Sequence, residues 1–129
     1  MGTIERFEDV EAWQAARELT KTVYAFTLKG AFAKDWALQG QISRAVVSVM
    51  ANIAEGFERG GNKEFLQFLA TAKGSCGELR SHLCVAKDQQ YITDEQFRLA
   101  SQKAVTISRM IAGLMKYLRQ SNLRGSKYQ

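Results

Sequence analysis

Two stretches of this chain repeat apolar residues at alternating gaps of four and three without a break. Phe65, Leu69, Ala72, Cys76, Leu79, Leu83 and Ala86 form the first. Phe97, Ala100, Ala104, Ile107, Ile111, Leu114 and Leu118, beginning on a gap of three, form the second. A repeat of about 3.5 residues keeps every member on one side of an α-helix and demands a second apolar stripe to face it. No stretch shows the period of two that a half-buried strand needs. Proline is absent from all 129 residues, which suits long helices because proline breaks them.

Two earlier segments carry the same signal. Ala12, Ala16, Leu19, Val23 and Phe26 define one, with Asp9 as a candidate N-cap and Gly30 as a candidate C-terminal cap. Leu38, Ile42, Ala45, Val46, Val49, Ile53 and Phe57 define another, opened by Asp35. The ERGGN turn then breaks the chain, with Gly60 and Gly61 free to take positive φ and Asn62 as the next N-cap. Thr93 and Gln96 have the spacing of a capping box at the start of the last segment. The expected fold is therefore all-α. It is an antiparallel up-down-up-down four-helix bundle with helices at about 9–28, 35–58, 62–89 and 94–119. One domain fills residues 1–129, with a short flexible N-terminus and a basic tail over about 120–129. Gly74 and Gly77 stand inside the third helix, where each costs about 1 kcal/mol relative to alanine. Close approach of a neighbouring helix is the simplest reason to keep them; a ligand groove is the functional alternative.

Chemistry is hard to find. Catalysis needs a nucleophile with a base, paired carboxylates or a metal. His82 is the lone histidine, and it reads as a surface or hydrogen-bonded structural residue. Cys76 and Cys84 lie eight apart, about 12 Å along one helix. That exceeds the roughly 7 Å a disulfide tolerates, so both read as small buried hydrophobes. With the histidine they match no zinc pattern. No phosphate-cradling or dinucleotide motif occurs. The expectation is no enzyme activity, no cofactor and no metal. No apolar run approaches the roughly 18 residues of a membrane span. The opening MGTIERFEDVEAW is polar and acidic, unlike a signal peptide, so a cytoplasmic location is expected.

Charge is distributed unevenly. Residues 1–29 carry −1, 30–62 carry 0, 63–92 carry +1 and 93–129 carry +5. No acid follows Glu95. Arg98, Arg109 and Lys116 fall within about 20° of one another on a helix, Arg119 sits near their edge, and Arg124 and Lys127 follow in the tail. Such a stripe fits an RNA or other nucleic acid; a solvated helix face is the alternative. Aromatic interleaving is thin, with Tyr117 and Tyr128 alone.

A second stripe crosses the greasiest segment, SRAVVSVMANIAEGFERG. Arg44, Ser48, Asn52, Glu55 and Arg59 recur at gaps of 4, 4, 3 and 4 along one side of the helix. Arginine, asparagine and glutamate can close a hydrogen-bonded set. Three readings stand: a solvated face, a polar network at a subunit contact, or a ligand or RNA contact.

The same residues carry a resemblance. Gln41-Ile42, Arg44-Ala45, Ser48, Asn52-Ile53-Ala54-Glu55-Gly56, Arg59, Lys63-Glu64-Phe65, Phe68-Leu69, Ala72, Gly74-Ser75 and Glu78-Leu79 resemble the signature of the 23S rRNA-intervening sequence protein family, also called four helix bundle proteins. The likeness covers about residues 5–120. Met50 stands where relatives often have proline, so a straighter second helix is expected. The resemblance implies a left-handed bundle that assembles as a homo-oligomer, with a pentameric ring as precedent. The chain is similar also to the accessory variability determinant of diversity-generating retroelements, a basic pentameric bundle that binds nucleic acid and a reverse transcriptase. The implied partners are a second copy of the chain, RNA or other nucleic acid, and a protein such as a polymerase or reverse transcriptase.

Overall fold

The computed structural model describes residues 4–123. A 3-10 turn at Phe7–Asp9 leads into α1 (Glu11–Thr27); a second at Gly30–Lys34 leads into α2 (Trp36–Glu58). Then follow α3 (Asn62–Asp88) and α4 (Asp94–Leu123). Consecutive helices pack side by side and α4 closes against α1, so the four surround one core; the contact between α2 and α3 is the most extensive. This is the all-α four-helix bundle that the seams require. Among the described residues no helix is long and apolar enough to cross a membrane.

The core is built from the seams themselves. Leu69, Ala72, Leu79, Leu83 and Ala86 of α3 are fully buried, as are Ala100, Ala104 and Ile111 of α4. Ile42, Val46 and Ile53 of α2 and Ala16, Leu19 and Val23 of α1 complete it. Burial of an aliphatic side chain contributes about 1.5–3 kcal/mol, so this shared interior outweighs the other interactions of the fold. Phe26, Phe57 and Phe97, near helix ends, are half-buried and pack on the rim of the core.

Two N-caps match expectation and two do not. Asp35 Oδ1 accepts from Leu38 N at 3.1 Å, while Oδ2 accepts from the Tyr91 hydroxyl at 2.9 Å. That one carboxylate ties the start of α2 to the turn between α3 and α4. Its hydrogen bond raises the Tyr91 pKa, with burial and the carboxylate charge acting the same way. Thr93 and Gln96 form the capping box: Gln96 N donates to Thr93 Oγ1 at 3.0 Å and Thr93 N to Gln96 Oε1 at 2.9 Å.

Asp9 instead belongs to the first 3-10 turn, where its carboxylate accepts from Arg6 N at 3.2 Å. Val10 occupies the N-cap position of α1. Asn62 is the first residue inside α3, with Gly61 as its N-cap. The Asn62 side chain is buried and donates from Nδ2 to Leu118 O at 3.1 Å, joining α3 to α4. Gly60 takes φ +83°, as the turn demands, while Gly61 is extended at −126°. Helix α4 continues to Leu123, beyond the expected end near 119.

The mid-helix glycines do not mark a helix crossing. A Cβ on Gly74 or Gly77 would meet nothing within 4 Å, so no neighbouring helix approaches either one. The close approach is at Gly56, where a Cβ would lie 2.6 Å from Phe68 Cβ and 2.9 Å from Phe65 Cδ1. Phe68 Cβ is fixed to the backbone of α3 and cannot rotate aside.

Thermal melts of two alanine variants should therefore move in opposite directions. Gly56→Ala overpacks the α2–α3 crossing by about 1–3 kcal/mol and lowers the melting point. Gly77→Ala adds about 1 kcal/mol of helix propensity and raises it by about 3–5 °C. A stabilising Gly56→Ala would contradict this assignment of the crossing.

Candidate functional site

The five polar residues of α2 separate into an inner and an outer group. Asn52 Nδ2 donates to Ser48 O at 2.8 Å and to Ser48 Oγ at 2.9 Å. Ser48 Oγ lies 2.9 Å from Ser75 Oγ of α3. Since Ser48 Oγ accepts from Asn52, its own proton is free to go to Ser75, giving a short chain from Asn52 through Ser48 to a buried hydroxyl. Glu55 and Arg59 make a separate pair at 2.9 Å, with side chains 54% and 53% exposed. The Arg59 guanidinium also lies 5.1 Å above the Phe68 ring.

Arg44 turns back along α2, so that a Cβ on Gly40 would sit 3.3 Å from its guanidinium. It makes no ion pair among the described residues. It borders a depression of about 590 Å³ shared with Tyr24, Val47, Ser48 and Glu78. Within the chain, then, the arginines and Glu55 do not join Asn52 in a closed set. Twist accounts for part of this: at about 100° per residue, Ser48 and Asn52 stand about 40° and 80° round from Arg44, whereas Glu55 stands only about 20° round. Arg59, at about 60°, is held instead by Glu55 and the Phe68 ring.

Arg98, Arg109, Lys116 and Arg119 are exposed on α4. None of them makes an ion pair among the described residues. Arg124 and Lys127 lie outside the described residues. Cations elsewhere are often matched: Lys21 with Glu18, Arg59 with Glu55, Lys87 with Asp94. Arg17 lies 5.7 Å over the Trp13 ring.

One cation near this face is invisible to a reading of α4 alone. Arg80 projects from α3 and shares with Arg98 a depression of about 600 Å³ lined also by Phe97, Leu99 and Gln102. Its signal is tertiary: antiparallel helices bring it across from α4.

The thiols differ in their surroundings. Cys76 is buried on the α3 seam and burial pushes its pKa up to about 11, against the opposing charges of Lys73 and Arg80. A thiol so held is inert. Cys84 is exposed, contrary to the expectation of burial, because it falls one position off the seam. His82 Nε2 lies 3.3 Å from Glu78 Oε2 one turn earlier, a structural placement. Among the described residues no cluster could hold a metal ion. Large apolar side chains also reach solvent, chiefly Trp36 at 80% and Leu28 at 67%.

The family described as 23S rRNA-intervening sequence protein matches residues 8–113. A crystal structure of a protein of unknown function, from the S23 ribosomal protein family of Bacteroides thetaiotaomicron VPI-5482, superposes with a TM-score of 0.73. The two share 22% identity over 81% of this chain and 98% of that one, so the likeness is one of fold. Among curated proteins none matches.

A double-mutant cycle separates the inner polar group from the outer one. Ser48→Ala and Ser75→Ala should each cost about 1 kcal/mol in denaturant unfolding and should be non-additive, since they remove the same bond. Charge reversal at Glu55, which pairs with Arg59 and not with the serines, should leave the Ser48–Ser75 coupling unchanged. Additive serine effects would mean that the Ser48–Ser75 bond contributes nothing.

Proposed function

The chain belongs to the 23S rRNA-intervening sequence protein family, and from that premise we propose that it is a non-enzymatic, homo-oligomeric bundle that binds RNA through α4. The observation that carries this reading is the row of exposed, unpaired cations Arg98, Arg109 and Lys116. A row of like charges with no acid beyond Glu95 raises the potential along its helix, and a polyanion relieves it by releasing its own counterions. Arg119 extends the row, and assembly into a ring of five, by the precedent of the resemblance, would present it five times over.

The outer polar group of α2 takes the other role in this proposal. Arg44, Glu55 and Arg59 face away from their own core, free to meet a neighbouring subunit. Exposed Trp36 and Leu28 add apolar surface of the kind that subunits cover. That same surface favours a second reading, in which the assembly is a scaffold that docks a partner chain such as a polymerase or reverse transcriptase.

Two measurements test the proposal. Fluorescence anisotropy of a labelled rRNA-derived stem-loop at about 50 mM salt should show binding by the native protein. Binding should be lost when Arg98, Arg109 and Lys116 are all changed to Glu. Light scattering should give the mass of an oligomer, reduced by charge reversal at Glu55. Absence of binding at low salt would turn the reading toward the scaffold, and a monomeric mass would remove the assembly from both.

A further inference from the structure

A second depression, of about 430 Å³, runs between α3 and α4 and is lined by Gly77, Arg80, Ser81, Cys84, Phe97 and Ser101. Arg80, Phe97 and Ser101 also line the depression that holds Arg98. The two therefore adjoin as a shallow groove on the α3–α4 side, with Arg80 lining both and Arg98 lining one. Its floor is low because Gly77 and the two serines are small, and a Cβ on Gly77 would meet nothing within 4 Å. Phe97, covered by Lys87 at 4.8 Å from its ring centroid, gives the groove an apolar wall, continued by Leu99. Glu95 is a carboxylate of this lining, set against the two arginines.

We infer that this groove is a single-strand site, in which Arg80 of α3 and Arg98 of α4 hold a phosphodiester backbone while Leu99 and the edge of Phe97 left uncovered by Lys87 face a base. The inference rests on the RNA reading above and narrows it to a substrate class. Neighbouring helix axes lie about 8–10 Å apart, so the furrow between them admits a chain one strand thick. An A-form RNA duplex presents two backbones round a deep, narrow major groove, with its bases paired inside and out of reach of the furrow. It can rest on the outer row of α4 but cannot descend to Gly77 and Ser101. Only an unpaired strand can set its phosphates between both arginines, each of which binds a phosphate with a two-pronged fork. A cationic furrow with apolar surface for bases is the physical requirement for such a strand.

The test uses the full-length protein with a labelled oligouridylate and a blunt RNA duplex of equal length at low salt. Gly77→Leu fills the groove without changing charge, and the open space above Gly77 lets it fold. It should weaken oligouridylate binding several-fold and leave the duplex unaffected. Arg80→Ala should weaken oligouridylate binding and make its salt slope shallower by about 0.7. Lys21→Ala, on α1, should do neither. Melting points confirm that each variant is folded. Equal affinity for both RNAs, unchanged by Gly77→Leu and Arg80→Ala, would overturn the groove while leaving the α4 reading standing. Failure of the native protein to bind either RNA would overturn both.

Discussion

Where α2 crosses α3, one residue has no side chain. Gly56 lets Phe65 and Phe68 lie against the backbone of α2, at distances that any Cβ would forbid. That contact fixes how the two helices meet, and the largest interface of the bundle follows from it. Two turns away, the same approach brings Ser48 within 2.9 Å of Ser75. The buried Ser75 hydroxyl would be costly if unpaired. Its bond to Ser48 favours one register of α2 against α3, because sliding either helix breaks the bond and strands Ser75.

The register of α2 and α3 determines which faces turn outward. With Ser75 and Cys76 directed inward, Gly77 and Arg80 are left on the side of α3 next to α4. Buried Asn62, bonded to Leu118 O, fixes the level of α4 against α3 at the far end. Arg80 and Arg98 then meet across one depression although they are eighteen positions apart in the chain. Packing is thus settled by apolar seams and a few internal hydrogen bonds. The cations of α4 take no part in that packing and are free for an external partner.

The heptad seams made the fold legible, because a strict repeat has one helical solution and its members, Phe97 at the rim excepted, are buried. The caps at Asp35 and Thr93 were legible for a similar reason: each had a backbone N–H three residues on and no competitor. Asp9 had one, since the donors of Glu5 and Arg6 lay nearer. Asn62 was misplaced because its partner, Leu118, lies on another helix. The five polar residues of α2 share one side of the helix by spacing, yet within the chain they do not form one connected set. Spacing measures angle around one helix, while the split into an Asn52–Ser48–Ser75 chain and a Glu55–Arg59 pair depends on where α3 lies. The glycines show the same limit. Gly74 and Gly77 stand mid-helix with open space beside them, whereas Gly56, close to a helix end, holds the close approach. Arg80 could not be grouped with Arg98 until both helices were in place.

On the proposed reading, the unpaired cations beside and along α4 bind an unpaired RNA strand through its phosphates. The most direct measurement is the dependence of the native protein's oligouridylate affinity on salt concentration. Each neutralised phosphate of a single strand contributes a slope of about −0.7, so engagement of Arg80, Arg98, Arg109 and Lys116 should give about −3 on logarithmic axes. A slope near zero would contradict the claim, because binding without counterion release cannot run through these side chains.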